Sequence, residues 1–388
     1  MRHPESWSDG MKSRGIEKVL VTGGAGFIGS HTTDLLAERG YQITILDNLE
    51  PQVHRGKKPS YLNKEAKFLQ GDVGNRETLK PLVKEADAVI HLASAVGIGQ
   101  SMYQIEKYVD SNTKSTATLL DVLVNEEHEV KKVVVASSMS IYGEGEYFCE
   151  RCESKAHPGL RSESQLKKSL WEHPCPACGS PLKPIPTPED KPLMPASIYA
   201  MSKRHQEEMC LLIGKTYGIS TIALRYFNVY GSRQSLSNPY TGCAAIFTSR
   251  ILNNREPYIF EDGNQTRDFI HVRDVAEANL KALETSRADH QAVNIGSGQP
   301  RTIYELAENL ITATGSHLIP KISNTYRKGD IRHCYANVTR AKELLDFTAK
   351  VSLTEGLKEL IQWASQNRWG AVDLFDKAYG ELKEKGLA

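Results

Sequence analysis

The chain has 388 residues, room for two domains at roughly 100–200 residues each, with 40% hydrophobic and 24% charged residues. Forty-eight Lys and Arg balance forty-seven Asp and Glu to a net charge of +1, which excludes a strong electrostatic pull on nucleic acid or an acidic membrane. No uncharged apolar run reaches the roughly 18 residues of a membrane span, and the polar stretch from Met1 to Glu17 lacks the apolar core of a signal peptide. A cytoplasmic protein with neither membrane nor nucleic-acid partners is expected.

After a leader at residues 1–16, Lys18–Thr22 has the pattern of a short buried strand, and Phe27 to Arg39 carries helical spacing that Gly40 ends. Gln42–Asp47, Lys67–Gln70, Ala88–Leu92 and Lys132–Ala136 repeat the strand pattern, with helical stretches between most of them, notably Tyr108 to Asn125. This alternation predicts an α/β fold: a doubly wound, Rossmann-type parallel sheet with helices on both faces. From Glu144 to Pro195 the rhythm stops. These residues hold nine of the seventeen prolines, two Cys-x-x-Cys pairs and no sustained periodicity, so 144–195 is expected to be an insertion with its own fold. Helix resumes over Ser197–Tyr217, and Ser220–Arg225 is a sixth strand. Further on come a helix over Ile303–Ala313 and a helical tail from Ser352.

Between the first strand and the first helix lies Thr22-Gly23-Gly24-Ala25-Gly26-Phe27-Ile28-Gly29. Glycines here permit a tight turn and close backbone approach to a pyrophosphate, which the N–H groups of the helix N-terminus then attract. Asp47 ends the second strand eighteen residues after Gly29, where a carboxylate can bind both ribose hydroxyls and repel a 2′-phosphate. The pattern predicts a dinucleotide site that prefers NAD to NADP.

Tyr199 and Lys203 are four residues apart, on one face of a helix. A free phenol with a pKa of about 10 is a poor base at neutral pH, but a neighbouring ammonium, aided by a positive nicotinamide ring, favours the phenolate. Such a pair can remove a proton from a substrate hydroxyl while hydride leaves the same carbon. Ser137-Ser138-Met139-Ser140-Ile141-Tyr142-Gly143 follows the fifth strand, at the sheet edge where ligands of such folds bind.

Together these motifs resemble the extended short-chain dehydrogenase/reductases, the NAD-dependent sugar-nucleotide epimerases and dehydratases. The resemblance spans about residues 17–350 apart from the insertion. It rests on the glycine loop, Gly71-Asp72-Val73, His91-Leu92-Ala93, Asn112 four beyond Tyr108, Ser138 four before Tyr142, and Tyr199-x-x-x-Lys203. It implies a cofactor site of Gly23, Gly26, Phe27, Ile28, Gly29, Asp47, Asn48, Asp72, Val73, Leu92, Ala93, Asn112, Tyr199 and Lys203. Asp72 and Val73 would hold the adenine, and Asn112 would support the active-site strands. Ser138 would bond the sugar oxygen, Tyr199 would be the base, and Lys203 would also bind the nicotinamide ribose. For the nucleotide-sugar substrate it implies Asn228 in Leu224-Arg-Tyr-Phe-Asn-Val-Tyr-Gly231. Two diphosphate arginines follow, Arg267 in Gln265-Thr-Arg-Asp-Phe-Ile270 and Arg332 in Gly329-Asp-Ile-Arg-His333, guanidinium being suited to bidentate phosphate binding. The implied domains are an NAD-binding unit over 17–229 that carries the 144–195 insertion, and a mainly substrate-binding unit over 230–388, with 269–298 returning to the first. A homodimer built on the helices Tyr108–Asn125 and Ser197–Tyr217 is also implied.

One departure narrows the reaction. Dehydratases of this family carry an Asp-Glu pair just after the residue equivalent to Ser138; here those positions are Met139 and Ser140, neither an effective proton donor to a leaving hydroxyl. Inversion at C4 through a transient 4-keto sugar is therefore expected. Ser235-Leu-Ser-Asn-Pro-Tyr-Thr-Gly242 and the cysteine-bearing insertion are similar to dTDP-L-rhamnose 4-epimerases, which interconvert dTDP-L-rhamnose and dTDP-6-deoxy-L-talose. A 4-epimerase of UDP-hexoses or UDP-uronic acids, a 4-keto-sugar reductase and a non-catalytic NAD-sensing protein stand as alternatives.

Cys149-x-x-Cys152 and Cys175-x-x-Cys178, with a 22-residue spacer, match the spacing of a zinc ribbon closely. Four thiolates suit a closed, structural zinc site; disulfides or free thiols are the alternatives. Eight acidic and seven basic residues in the insertion give it no basic face for nucleic acid. Its place between Ser138 and Tyr199 suggests a lid or a subunit contact.

Overall fold

The computed structural model describes residues 15–367 and 371–388, so the leader expected at 1–16 lies almost wholly outside the described residues. Seven strands form one sheet: β1 (Lys18–Thr22), β2 (Gln42–Asp47), β3 (Lys67–Gln70), β4 (Ala88–His91), β5 (Lys132–Ser138), β6 (Ser220–Tyr226) and β7 (Gln291–Ile295). Their spatial order is β7-β6-β5-β4-β1-β2-β3, and every pairing is parallel. The chain reverses its direction of travel between β1 and β4, which opens a crevice at the carboxyl ends of those strands.

The expected layering is present. Helices α1 (Phe27–Glu38) and α5 (Val272–Glu284) cover one face, and α2 (Arg76–Glu85), α3 (Ser115–Asn125) and α4 (Ile198–Tyr217) the other. Side chains alternate along each strand, so the two faces draw on alternate residues. Val19, Val21, Ile90, Val134 and Leu224 join Leu36 and Val275 in one core, while Leu20, Val89, Val133 and Ala223 join Leu79, Leu119 and Cys210 in the other. Each large aliphatic side chain buried this way contributes about 1.5–3 kcal/mol.

Three departures from the sequence pattern have physical causes. β5 runs on to Ser138 because Ser137 and Ser138 still pair with Arg225 and Tyr226 of β6. β7 is not among the strands the pattern predicts; it is only five residues long and contains the polar Asn294. The helical run expected from Tyr108 widens to π-helical winding over Val109–Lys114 before α3 begins. That wide turn carries Asn112, which is fully buried and ties the helix to the loop after β4.

The insertion folds around a three-stranded antiparallel sheet, Ser154–Ala156 and Lys183–Ile185 flanking Glu146–Cys149, with a small core of Tyr147, Cys149, Cys175 and Leu182. A second lobe packs the helices Cys243–Leu252, Ile303–Thr314 and Leu353–Gln366 around Tyr230, Phe247, Leu306, Leu310 and Leu360. Thr302 and Glu305 form a reciprocal capping box that starts the second of these helices. The tail expected from Ser352 comprises that third helix and a separate one, Phe375–Glu384.

Arg225 on β6 and Glu207 on α4 form an ion pair at 2.5 Å whose side chains are 6% and 3% exposed. Removing one partner strands a buried charge. Glu207→Ala or Arg225→Met should lower unfolding free energy by about 3–5 kcal/mol, and Arg225→Met/Glu207→Leu should recover most of it. Urea denaturation followed by circular dichroism checks both.

Candidate active site

The glycine loop turns at Gly23, whose φ of +71° is the left-handed region that favours glycine. A Cβ on Gly29 would lie 2.2 Å from the Gly23 carbonyl oxygen, so α1 can pack this tightly on the turn only because that position is glycine. Gly23, Gly26, Phe27, Ile28 and Gly29 face a cleft of 580 Å³, and Asp47, Asn48, Asp72, Val73, Leu92 and Ala93 line the same cleft. The Asp47 carboxylate accepts the amides of Ala25 (3.0 Å) and Leu49 (2.9 Å), which fixes it at the end of β2 with lone pairs to spare. His54 lies 3.9 Å away, and burial lowers its pKa. The Asp72 carboxylate accepts from Asn48 Nδ2 and the Gly74 amide.

α4 brings Tyr199 and Lys203 into this cleft opposite Ser138, which ends β5. Ser197 caps the helix by accepting the Ala200 amide, and the Tyr199 amide donates to Ser101 Oγ at 3.0 Å. Asn112 lies behind the cleft rather than in its lining. Its carboxamide bonds both polar backbone groups of Ala95 (2.7 and 3.1 Å) and donates to Ser202 Oγ at 2.8 Å, joining the β4 loop to α4. Ser138 Oγ accepts from Ser140 Oγ at 2.9 Å, and both Met139 and Ser140 line the cleft.

Burial sets the protonation of the pair. It raises the Tyr199 phenol above its ordinary value, and the Ser138 hydroxyl pulls the other way. Lys203 is brought down to about 7 by burial. Its ammonium donates to Gln206 Oε1 at 2.9 Å, and Gln206 continues through Thr116 Oγ1 (2.7 Å) to His91 Nε2 (2.9 Å) and from His91 Nδ1 to Thr22 Oγ1 (2.7 Å). Burial holds His91 neutral, at about 3.

Asn228, Arg267, Arg327 and Lys328 also line the cleft. Asn228 Oδ1, Gln234 Oε1 and Gln265 Oε1 are buried without a hydrogen-bond partner among the described residues, although all three side chains belong to the cleft wall. The Arg267 guanidinium is braced by the carbonyls of Thr266, Ile331 and Arg332 at 2.7–2.9 Å. Arg332 does not belong here, and the expectation that it meets a diphosphate is corrected. It is 1% exposed and absent from the cleft wall, and its guanidinium is taken by the carboxylates of Glu172, Glu261 and Asp262 at 2.6–3.0 Å. Arg327, two residues before Gly329-Asp330, faces the cleft instead; the signal lay on the near side of the same motif.

The helix Phe375–Glu384 spans the cleft, a feature that a bare amphipathic pattern does not reveal. Phe375, Ala378, Tyr379, Leu382 and Leu387 line the wall, and Leu382 abuts Gly99 beyond β4. Glu381 accepts the hydroxyls of Tyr240 (2.5 Å) and Tyr103 (3.0 Å), and the Leu387 carbonyl accepts the Lys328 amide at 2.9 Å.

A doubly wound sheet with this glycine loop and a buried Tyr-Lys pair defines a dinucleotide-dependent enzyme. The chain belongs to the NAD dependent epimerase/dehydratase family, whose family model matches residues 19–165 and 176–296. A dTDP-L-rhamnose 4-epimerase from Burkholderia thailandensis is 32% identical over 354 residues, 90% of this chain and 95% of that protein. The crystal structure of UDP-glucose 4-epimerase with UDP-glucose from Thermotoga maritima is similar at a TM-score of 0.75 and 32% identity, over 90% of this chain and 99% of that one. UDP-glucuronic acid 4-epimerase from Bacillus cereus, in complex with UDP-glucuronic acid and NAD, matches at 0.73 and 27% over the same shares. No described helix is long and apolar enough to cross a membrane.

The low Lys203 value has a stability consequence. An unfolded lysine titrates near 10.4, so between pH 7 and that value the unfolded chain binds the proton that the folded chain has lost, and stability rises with pH. The burial cost of the ammonium is largest below pH 7. Lys203→Met should therefore stabilise the protein more below pH 7 than near pH 10, measured by urea denaturation at the two extremes.

Proposed function

We propose that the chain is an NAD-dependent 4-epimerase of a nucleotide-linked sugar. The observation that carries this is convergence: Ser138, Tyr199 and Lys203 share one cleft with the glycine loop and with Arg267 and Arg327. In this reading residues 17–229, with the insertion, hold the cofactor, 269–298 return to that unit, and the rest of 230–388 holds most of the substrate. The residues fit a dinucleotide: the N-terminus of α1 faces the cleft, the crowding at Gly29 admits no side chain, and Asp47 keeps acceptor capacity for ribose hydroxyls. Bound NAD supplies a hydride acceptor and donor.

Tyr199, as phenolate, takes the proton of the C4 hydroxyl, and Ser138 donates to the same oxygen to hold it. Lys203 binds the nicotinamide ribose and stabilises the phenolate. Arg267 and Arg327 anchor the diphosphate, so the 4-keto sugar can turn over while the nucleotide stays fixed. Met139 and Ser140 supply no acid for loss of a C6 hydroxyl. The preferred substrate is dTDP-L-rhamnose, giving dTDP-6-deoxy-L-talose. This is supported by the Burkholderia relative and by the place of Ser235, Asn238, Tyr240 and Gly242 in the cleft wall. UDP-glucose and UDP-glucuronic acid are the second reading, favoured by the two structural neighbours.

Incubation with a panel of dTDP- and UDP-sugars, with products read by NMR, tests the proposal. A C4 epimer that retains a C4 deuterium label is expected; a 4-keto-6-deoxy product or label lost to solvent would refute it. Tyr199→Phe should cost several orders of magnitude in kcat with little change in nucleotide affinity.

We further propose that Cys149, Cys152, Cys175 and Cys178 hold a structural zinc ion. Their four Sγ atoms lie within 4.8 Å of one another, with Cys149–Cys178 at 3.5 Å and Cys152–Cys175 at 3.9 Å. A tetrahedral site with bonds of about 2.3 Å needs edges of about 3.8 Å. Gly179, at φ +73°, closes the second knuckle. Elemental analysis should give about one zinc per chain, and chelation should expose the four thiols and loosen the insertion while the large sheet stays folded. Metal-free protein with full activity and ordinary thiol reactivity at all four positions is the contrary outcome.

A further inference from the structure

Arg161, in the insertion, is 7% exposed and forms no part of the cleft wall. Its guanidinium grips the Glu261 carboxylate with two hydrogen bonds of 2.8 Å, Nη1 to Oε2 and Nη2 to Oε1, a bidentate pairing that fixes orientation as well as distance. Nη2 also donates to the Asp330 carbonyl at 3.0 Å.

Both contacts lead to Arg327. Glu261 sits at φ +57°, a conformation that a residue with a side chain adopts only when its surroundings hold it there. In that conformation its amide donates to the Thr325 carbonyl at 2.7 Å and its carbonyl accepts the Asn324 amide at 3.1 Å, fixing the backbone just before Arg327. By the second route, the Asp330 carboxylate accepts from Arg327 Nε at 2.8 Å. The Arg327 guanidinium also lies 4.6 Å over the ring of Phe260, the neighbour of Glu261. Arg332 shares Glu261 Oε2 at 3.0 Å, so without Arg161 the carboxylate keeps one cation and loses its bidentate alignment.

The geometry points to Arg161 as a positioning residue for nucleoside diphosphate binding: through Glu261 and Asp330 the insertion aims Arg327 into the cleft. This rests on the functional reading above, in which Arg327 meets the diphosphate. The insertion is then a brace for the substrate wall.

Titration calorimetry with dTDP and with UDP, on the full chain, tests it. Arg161→Met should bind the preferred diphosphate about tenfold more weakly than wild type, with the KM of the nucleotide sugar raised in proportion, kcat nearly unchanged and NAD affinity unaltered. A merely structural loss would reduce the active fraction and hence apparent kcat, leaving KM in place. Arg161→Lys keeps the charge without the bidentate fork and should fall between the two. In an Arg327→Ala background, Arg161→Met should have no further effect, because both act through one contact. Unchanged diphosphate affinity, a loss of kcat at constant KM, or full additivity with Arg327→Ala overturns the inference. If Arg161→Met does not fold, the same readings on Arg161→Lys decide. A wild-type protein that binds neither dTDP nor UDP counts against the functional reading itself, whereas wild-type binding with an indifferent variant counts against Arg161 alone.

Discussion

The buried pair of Arg225 and Glu207 is where the fold and the site meet. Glu207 lies one helical turn beyond Lys203 on α4, and its second oxygen accepts Ser137 Oγ at 2.6 Å, beside Ser138. Arg225 reaches in the other direction, donating to the Tyr142 hydroxyl and the Glu189 carbonyl, both at 2.8 Å. Tyr142 in turn donates to Asn294 of β7 at 2.6 Å. One ion pair thus sets the spacing between the strand end that carries Ser138 and the helix that carries Tyr199 and Lys203. It also ties down the segment on which the insertion returns to the sheet. Because the pair is desolvated, small displacements are expensive, and Ser138, Tyr199 and Lys203 inherit that stiffness.

A second polar chain runs under the same groups. Thr22, His91, Thr116 and Gln206 cross from β1 through β4 and α3 to Lys203. Every member is buried, so each hydrogen bond made here avoids an unsatisfied group in a dry interior. The neutral His91 lets this chain end at an ammonium without adding a competing charge. The asymmetry between a weakened phenolic acid and a lysine titrating near neutrality comes from burial, which a sequence reports only indirectly.

What was legible in the sequence was what repeats locally. The period-two strands, the glycines before α1 and the four-residue spacing of Tyr199 and Lys203 are set by neighbours in the chain, and they specified the sheet and the two side chains that α4 brings into the cleft. Arg332 shows the limit. In sequence it is one of several basic residues near Gly329-Asp330, and nothing local distinguishes it from Arg327. Glu172, Glu261 and Asp262 do so in space, and they lie 70 to 160 residues away. The π-helical turn at Asn112 escaped for a similar reason, since what its carboxamide holds is a loop seventeen residues upstream. The insertion was visible as a break in rhythm, but its attachment through Arg161 and Glu172 depends on side chains of the second lobe.

The helix Phe375–Glu384, with Leu387 just beyond it, places part of the cleft wall downstream of every other residue that lines it. A ribosome delivers β1 through β7 first, so the glycine loop, Ser138 and the Tyr199–Lys203 helix can assemble while this segment is still in the exit tunnel. Until it emerges, Tyr103 and Tyr240 lack their shared carboxylate and Leu382 does not yet cover Gly99. During synthesis the chemical groups are therefore complete before the compartment that encloses them, and the order of translation becomes an order of closure.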